Sequence, residues 1–341
     1  MSDRPAAEVS VVGTGGIGCA LGHALRAGGV DVTFVEADEQ KVDWGRRHGV
    51  GLDGRPSLPA EFVQFADWRP QPDGIILLCT KCYDNKTVLS RLPSATEVIP
   101  VQNGFDRDLV ERSRIEGIAS FVSECHAHQA RTRITRPGSL HVGYSGTGNQ
   151  RSLPENVDRL IGVLEQHGSF DVKRVPGVQQ YKYAKLMYNA AISPLAAVAG
   201  LDNSQLLTIK KARKLFFGLL RENYGILKAA GVPLGVVGPF HPDTVDRILR
   251  LPVIARLMAR PFSRSLRNTY CSMSGDIPTG HTEIDYFNGH LIELAGDRDI
   301  PLNRLAYNLV KHMERERATP ASSWLDELVN APKAATLAWK S

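Results

Sequence analysis

Lys185, Asn189 and Ser193 stand four residues apart in the segment Lys185-Leu186-Met187-Tyr188-Asn189-Ala190-Ala191-Ile192-Ser193-Pro194. On a helix this spacing puts all three on one face. An ammonium aligned with an amide and a hydroxyl, among apolar neighbours, is an odd composition for a core stripe. It suits chemistry at a polarised oxygen, where a positioned lysine can stabilise and protonate developing negative charge. Alone, Lys185 would read as a surface lysine on an amphipathic helix. Two further groups of polar residues stand out, and the later one, which holds Glu283, reverses that reading together with the Lys–Asn–Ser face. Thr80-Lys81-Cys82-Tyr83-Asp84 and Val101-Gln102-Asn103-Gly104-Phe105 each follow a strand-like apolar run. A later block runs from Cys271-Ser272-Met273 to Thr282-Glu283-Ile284-Asp285-Tyr286-Phe287-Asn288-Gly289.

The strand-like Val9–Val12 leads into Gly13-Thr14-Gly15-Gly16-Ile17-Gly18, and a helical pattern follows. This is G-x-G-x-x-G in the context the motif needs, strand before and helix after. Gly13 permits the tight turn, Gly15 lets backbone approach a pyrophosphate, and Gly18 lets helix and strand pack closely. The phosphates then meet the free amides at the helix N-terminus. The next strand ends at Val35-Glu36, close to where a ribose-binding carboxylate belongs. Glu36 could also be a surface acid starting a helix. As a ribose ligand it would repel a 2′-phosphate, which favours NAD(H) and leaves NADP(H) possible. Ala37, Asp38 and Glu39 follow it, with no adjacent arginine, and Lys81 is one candidate for a compensating cation.

These residues need elements to hold them. The first half of the chain alternates apolar runs (Val9–Val12, Val32–Val35, Gly74–Cys79, Glu97–Val101, Ile118–Val122, Leu140–Tyr144) with helical patterns. Runs that are apolar throughout suit strands buried on both faces of a parallel sheet. The expected fold is an α/β Rossmann domain, a doubly wound parallel sheet, over residues 1–176. Its last elements are a helix over Pro154–His167 and a strand over Phe170–Val175. Long helical patterns then dominate: Lys210–Ala230, Thr244–Ala259, Glu283–Ala295 and Pro301–Glu316. Residues 177–341 are therefore expected to form an all-helical domain. The chain has 341 residues and 43% hydrophobic residues, ample for two buried cores, and 23% charged residues, which excludes a disordered chain. A net charge of +5 is mild and announces no nucleic-acid partner. No apolar run is long enough to span a membrane, and residues 1–8 lack a signal-peptide core. Five cysteines do not make a secreted disulfide framework. The expectation is a cytoplasmic protein.

The glycine loop, Lys81, Gln102-Asn103-Gly104, the Lys185 helix, Asn203 and the Ser272…Thr282-Glu283-Ile284-Asp285 block together resemble the ketopantoate reductase (2-dehydropantoate 2-reductase) family. The resemblance covers most of the chain. It implies reduction of a 2-oxo acid to a 2-hydroxy acid by NAD(P)H, in a cleft between a Rossmann and a helical domain. It makes Lys185 the acid that protonates the ketone oxygen and places Asn103 beside nicotinamide and substrate. Asn189, Ser193, Asn203 and Ser272 would bind the substrate, and Glu283 would support cofactor and lysine. The sequence departs from the family pattern at Ser193, where asparagine is usual, and at Cys271, where serine is usual. It departs again at Glu36-Ala37, which replaces the basic residue of NADP-using members. Reduction of a 2-oxo acid is therefore a firmer expectation than ketopantoate itself as the substrate. Oxidation of another hydroxy acid or polyol, or a nucleotide-sensing protein without chemistry, are the other readings.

Three motifs are set aside. Cys79-Thr80-Lys81-Cys82 has CxxC spacing without a second pair, and Cys125-His126-Ala127-His128 has no recognised ligand spacing, so no metal is expected. Arg247, Arg250, Arg256, Arg260, Arg264 and Arg267 interleave with apolar residues, a pattern found in membrane-surface and partner helices. Pro252 and Pro261 interrupt it, and Leu249, Leu257 and Met258 are expected to pack inward. The arginines then read as a solvated face, with no membrane partner. The apolar faces of the helical domain could also form a homodimer.

Overall fold

A computed structural model describes residues 8–146, 152–267 and 269–330. The chain divides into two units, Met1–Gln179 and Gln180–Ser341.

In the first unit, β1 (Val9–Val12), β2 (Val32–Glu36), β4 (Glu61–Gln64), β5 (Ile75–Leu78) and β6 (Glu97–Pro100) form a parallel sheet in the order β4-β2-β1-β5-β6. Their side chains alternate between two cores. Val11, Phe34 and Leu77 face α1 (Gly16–Ala27), which contributes Leu21, Ala24 and Leu25. Val12, Val35, Ile76 and Leu78 face the opposite core, which holds Val88 of α3 (Asn85–Leu89) and Leu109 of α4 (Arg107–Val110). This two-sided burial is why the strands are continuously apolar, and it makes the sheet doubly wound. α2 (Glu39–His48) follows β2 and is N-capped by Asp38, whose carboxylate accepts from the Gln40 amide at 2.9 Å.

Two smaller sheets complete the unit. β3 (Gly51–Leu52), β9 (Arg131–Arg136) and β8 (Val122–Cys125) form one, and β11 (Asp171–Gly177), β10 (Ser139–Tyr144) and β7 (Ile115–Ala119) form the other. The expected single strand Ile118–Val122 is in fact the junction of two. β7 stops at Ala119, where Ser120 turns back to the Ser139 carbonyl through its amide (2.7 Å) and hydroxyl (3.0 Å). Phe121 then stacks on Phe170 at 4.7 Å, and the chain enters the other sheet at Val122. α5 (Glu155–His167) packs on α1.

The described residues of the second unit contain helices and no strand. They are α6 (Gln179–Ala199), α7 (Gln205–Thr208), α8 (Lys210–Ala229), α9 (Pro242–Leu249), α10 (Pro252–Ser265), α11 (Met273–Asp276), a 3-10 turn at Ile277–Thr279, a π-helical turn at Asp285–Gly289, α12 (His290–Ala295), α13 (Pro301–Glu316) and α14 (Trp324–Asn330). The pattern Thr244–Ala259 is two helices, not one. Pro252 removes an amide and disfavours helical geometry at Leu251 (φ −111°, ψ 89°), so α9 ends and α10 restarts with proline in its first turn. Leu257 does not pack inward; it is 57% exposed. No helix among the described residues is long and apolar enough to cross a membrane.

Candidate active site

The glycine loop has the geometry a dinucleotide needs. Gly13 has φ +95° and donates to the Val35 carbonyl at 2.9 Å, which ties the turn to β2. A Cβ on Gly18 would meet the Gly13 carbonyl oxygen at 2.0 Å, so only glycine lets α1 start this close to β1. A Cβ on Gly15 would meet nothing within 4 Å. That open space lies at the N-terminus of α1, where a pyrophosphate could accept from the helix amides.

Thr14 is fully buried and occupied on every side. Its amide and hydroxyl donate to Glu36 Oε2 at 3.0 and 2.5 Å. Its carbonyl accepts from Cys19 Sγ (3.4 Å), Cys125 Sγ (3.3 Å) and Lys41 Nζ (3.4 Å). Glu36 Oε1 accepts from the amides of Ala37 (2.7 Å) and Asp38 (3.1 Å). The cation beside Glu36 is Lys41, at 3.8 Å. Lys81, the candidate from sequence, is half-buried on the loop after β5. Lys41 is a residue that sequence reasoning missed; it sits in the first turn of α2, a position no motif marks.

The hydrogen bond from the Cys19 thiol holds Cys125 below the ordinary thiol range, at about 7, and the Lys41 cation pulls the same way. The Cys125-His126-Ala127-His128 segment is bonded to its own unit, with His126 Nε2 at 3.0 Å from Asp53 and His128 Nδ1 at 3.1 Å from Asp38. No group of three or more potential metal ligands forms among the described residues.

Asn103 is placed by a buried amide pair one residue away. Gln102 Nε2 donates to Asn85 Oδ1 at 2.7 Å, and Asn85 Nδ2 returns a bond to Gln102 Oε1 at 3.1 Å. Asn85 Nδ2 also donates to Asp106 at 2.7 Å, and Gln102 Nε2 to the Thr80 carbonyl at 2.9 Å. The network locks the loops after β5 and β6 together. Asn103 Oδ1 is buried with no hydrogen-bond partner, an unused acceptor of the kind a bound ligand would satisfy.

In the second unit, α6 is buried on most of its surface. Lys185, Tyr188, Asn189 and Ile192 form a half-buried stripe at i, i+3, i+4 and i+7. Burial pushes the Tyr188 phenol up to about 12, so it stays protonated at neutral pH. Tyr188 was also missed, although its spacing from Lys185 could have marked it. Ser193, at the edge of the stripe, is 7% exposed.

Pro194 lies inside α6 and cannot donate to the Ala190 carbonyl. Asn288 of the π-helical turn does so instead: its Nδ2 lies 2.9 Å from Ala190 O and 2.9 Å from Asn303 Oδ1. Asn303 Nδ2 bonds Glu222 (2.9 Å) and Asn223 Oδ1 (2.8 Å), and Asn223 Nδ2 bonds the Met187 carbonyl at 2.9 Å. Asn223, Asn288 and Asn303 are fully buried.

Glu283 is 5% exposed between two anchored neighbours. Glu314 Oε1 accepts from the Thr282 amide (2.8 Å) and hydroxyl (2.6 Å). Asp285 accepts from Tyr307 (2.7 Å) and Lys311 (3.0 Å). Burial alone would lower the Lys311 pKa, but the Glu314 and Asp285 carboxylates beside it hold it above its ordinary value. Asn203 donates through its backbone N–H to Thr269 O at 2.9 Å, and its side-chain Oδ1 is a second buried acceptor with no partner. Cys271 Sγ lies 3.5 Å from the Ser193 carbonyl, and Ser272 is exposed.

The structure thus gathers Gly13–Gly18 with Glu36 in one unit. In the other it brings Ser193 next to Cys271, and joins the Glu283 block to the Lys185 helix through Asn288.

Residues 9–147 match the family model for ketopantoate reductase PanE/ApbA, and residues 177–314 match its C-terminal model. A 2-dehydropantoate 2-reductase of Halobacterium salinarum is 24% identical over 326 residues, covering 91% of this chain and 99% of that protein. A PanE/ApbA family ketopantoate reductase from Ralstonia eutropha superposes with a TM-score of 0.70 at 20% identity, covering 91% of this chain and 99% of that one. A D-mandelate dehydrogenase solved with NADH and anilino(oxo)acetate gives 0.72 at 18% identity, with 91% and 99% covered. Two consecutive family models, together spanning most of the chain over the elements described above, establish that it belongs to the ketopantoate reductase family.

Proposed function

We propose that this chain reduces a 2-oxo acid to a 2-hydroxy acid with a nicotinamide nucleotide, and that Lys185 donates the proton. The observation that carries this reading is the α6 stripe: on a helix buried over most of its surface, Lys185 and Asn189 emerge one turn apart beside a protonated Tyr188. The bound nicotinamide would supply the hydride. Gly15, Gly16, Ile17 and Gly18 would hold the pyrophosphate, Gly13 and the buried, fully bonded Thr14 would shape the turn that presents them, and Glu36 would hold the adenosine ribose, with Lys81 and Asn103 as further cofactor ligands. Lys185 would hold a proton at the carbonyl oxygen, where negative charge develops as the carbon is reduced. Asn103, Asn189, Ser193, Asn203 and Ser272 would orient the carboxylate and hydroxyl, and the orphaned acceptors of Asn103 and Asn203 suit that task. Glu283, buried and anchored on both sides, would orient Lys185 and the cofactor. The acid at Glu36 favours NAD(H). It also supports a second reading, oxidation of a hydroxy acid by NAD.

The test is to follow nicotinamide absorbance while the purified chain meets ketopantoate, phenylglyoxylate and other 2-oxo acids with NADH or NADPH. Turnover of one of them supports the reading and identifies the substrate. Nucleotide binding with no turnover in either direction, against 2-oxo and 2-hydroxy acids alike, would overturn it.

A further inference from the structure

Helix α10 presents its large side chains outward and its small ones inward. Ala255, Ala259 and Ser263 are 3%, 5% and 6% exposed and form the face against the protein, whereas Val253, Ile254 and Leu257 are 72%, 44% and 57% exposed. A water-facing helix is built the other way round. Of the eight large hydrophobic side chains that stand exposed among the described residues, five (Leu251, Val253, Ile254, Leu257 and Tyr270) fall within residues 251–270.

The charges of this segment are equally one-sided. Six arginines lie between Arg247 and Arg267, and no Asp or Glu occurs from Arg247 to Gly275. Arg250 is held by Asp246 at 2.7 Å. Arg256, Arg260, Arg264 and Arg267 are exposed and carry no ion pair among the described residues. Val253, Leu257, Arg260 and Arg264 share one outward face at i, i+4, i+7 and i+11. Pro261 does not interrupt it, since the helix runs through to Ser265. Pro252 does separate α9 from α10, but α10 itself, which carries Arg256, Arg260 and Arg264, is unbroken, and Leu257 faces outward, so neither ground for an ordinary solvated face holds for α10.

We infer that α10 is a docking surface for an anionic phospholipid membrane. The helix would lie in the plane of the interface. Val253, Ile254 and Leu257 would enter the boundary between headgroups and acyl chains, and the arginines would extend to the phosphates. A second copy of the chain on the same face would oppose one acid-free arginine row to another, which like-charge repulsion disfavours.

Cosedimentation of the full chain with vesicles tests this. The chain is expected to pellet with mixed phosphatidylglycerol–phosphatidylcholine vesicles, not with pure phosphatidylcholine, and to be released at high salt. The triple variant R256E/R260E/R264E should lose about a hundredfold in partitioning, at about fivefold per arginine near the surface. V253S/L257S should lose at least about tenfold. Circular dichroism and nucleotide binding of both variants should match the parent, because the altered side chains are exposed. Absence of binding, equal binding to neutral vesicles, or binding that both variants retain would overturn the inference. So would a dimer that V253S/L257S converts to monomer without any vesicle binding, which would assign the face to a second copy.

Discussion

The side-chain amide of Asn288 donates to the Ala190 carbonyl at 2.9 Å, and that carbonyl is the one Pro194 leaves without its helical partner. One residue of the π-helical turn thereby makes a proline tolerable in the middle of the helix that carries Lys185 and Asn189. Asn223 serves the Met187 carbonyl one turn earlier, and Asn303 binds both asparagines together. The stretch of α6 that presents the stripe is held by side chains from three other elements.

Asn288→Ala is expected to lower the unfolding free energy by about 1–3 kcal/mol, the penalty for leaving a buried polar group unpaired. Pro194→Ala restores an amide that can bond Ala190, so the same substitution should cost less in that background. A double-mutant cycle by urea unfolding reads the coupling directly, and an interaction energy of zero would separate the two residues.

Lys185→Ala is expected to reduce kcat by about 10²- to 10⁴-fold, the range for a positioned acid. Nucleotide affinity, measured by fluorescence titration, should stay within about twofold. A comparable loss in both quantities would remove Lys185 from the role of proton donor.

Glu36→Ala should shift the NADPH-to-NADH ratio of kcat/KM toward NADPH by about tenfold, because NADH forfeits a charge-assisted hydrogen bond while NADPH escapes a repulsion. Glu36 also holds Thr14, so both nucleotides are expected to bind more weakly, and the ratio is the informative quantity. Lys41, released from its carboxylate neighbour at 3.8 Å, becomes the cation available to a 2′-phosphate. Adding Lys41→Ala should reduce the gain, by the share that this cation supplies. An unchanged ratio in the single variant would place Glu36 away from the ribose.

Cys125 should react with iodoacetamide at a rate that rises as pH climbs through about 7, because the thiolate is the nucleophile and forms in that range. Cys79, whose thiol burial pushes up to about 12, should stay unmodified under the same conditions. Cys19→Ala removes the thiol that hydrogen-bonds Cys125, so the midpoint should move up toward the ordinary thiol range. Peptide mapping by mass spectrometry gives both rates, and a midpoint unmoved by that substitution would refute the coupling of the two thiols.

The features legible in the sequence were those whose physics is local. β1, the glycine turn and α1 follow from an apolar run, three glycines and a helical period. α13 begins at Pro301 and ends at Glu316, where sequence alone placed it, because proline suits a first turn and the apolar period is unbroken. β4 and β9 escaped notice because their residues, Glu61-Phe62-Val63-Gln64 and Arg131-Thr132-Arg133-Ile134-Thr135-Arg136, are half-exposed and mostly polar. The asparagine network was invisible for a different reason. Asn223, Asn288 and Asn303 mark nothing by spacing, and only the tertiary fold shows that they share the task of satisfying α6. Lys41 belongs with them, since its meaning depends on the packing of α2 beside Thr14.

Thr14 has a consequence for how fast and how tightly a nucleotide can settle. Its amide, hydroxyl and carbonyl are all bonded to protein groups, so the turn is rigid before any ligand arrives. Fixing a backbone residue costs about 1–2 kcal/mol of conformational entropy, and here that cost falls on folding. The phosphates would meet a surface with little freedom left to lose, and their contacts would go into affinity undiminished. In calorimetry such a loop behaves like an exposed piece of core, with small entropic opposition and little structural response to its ligand.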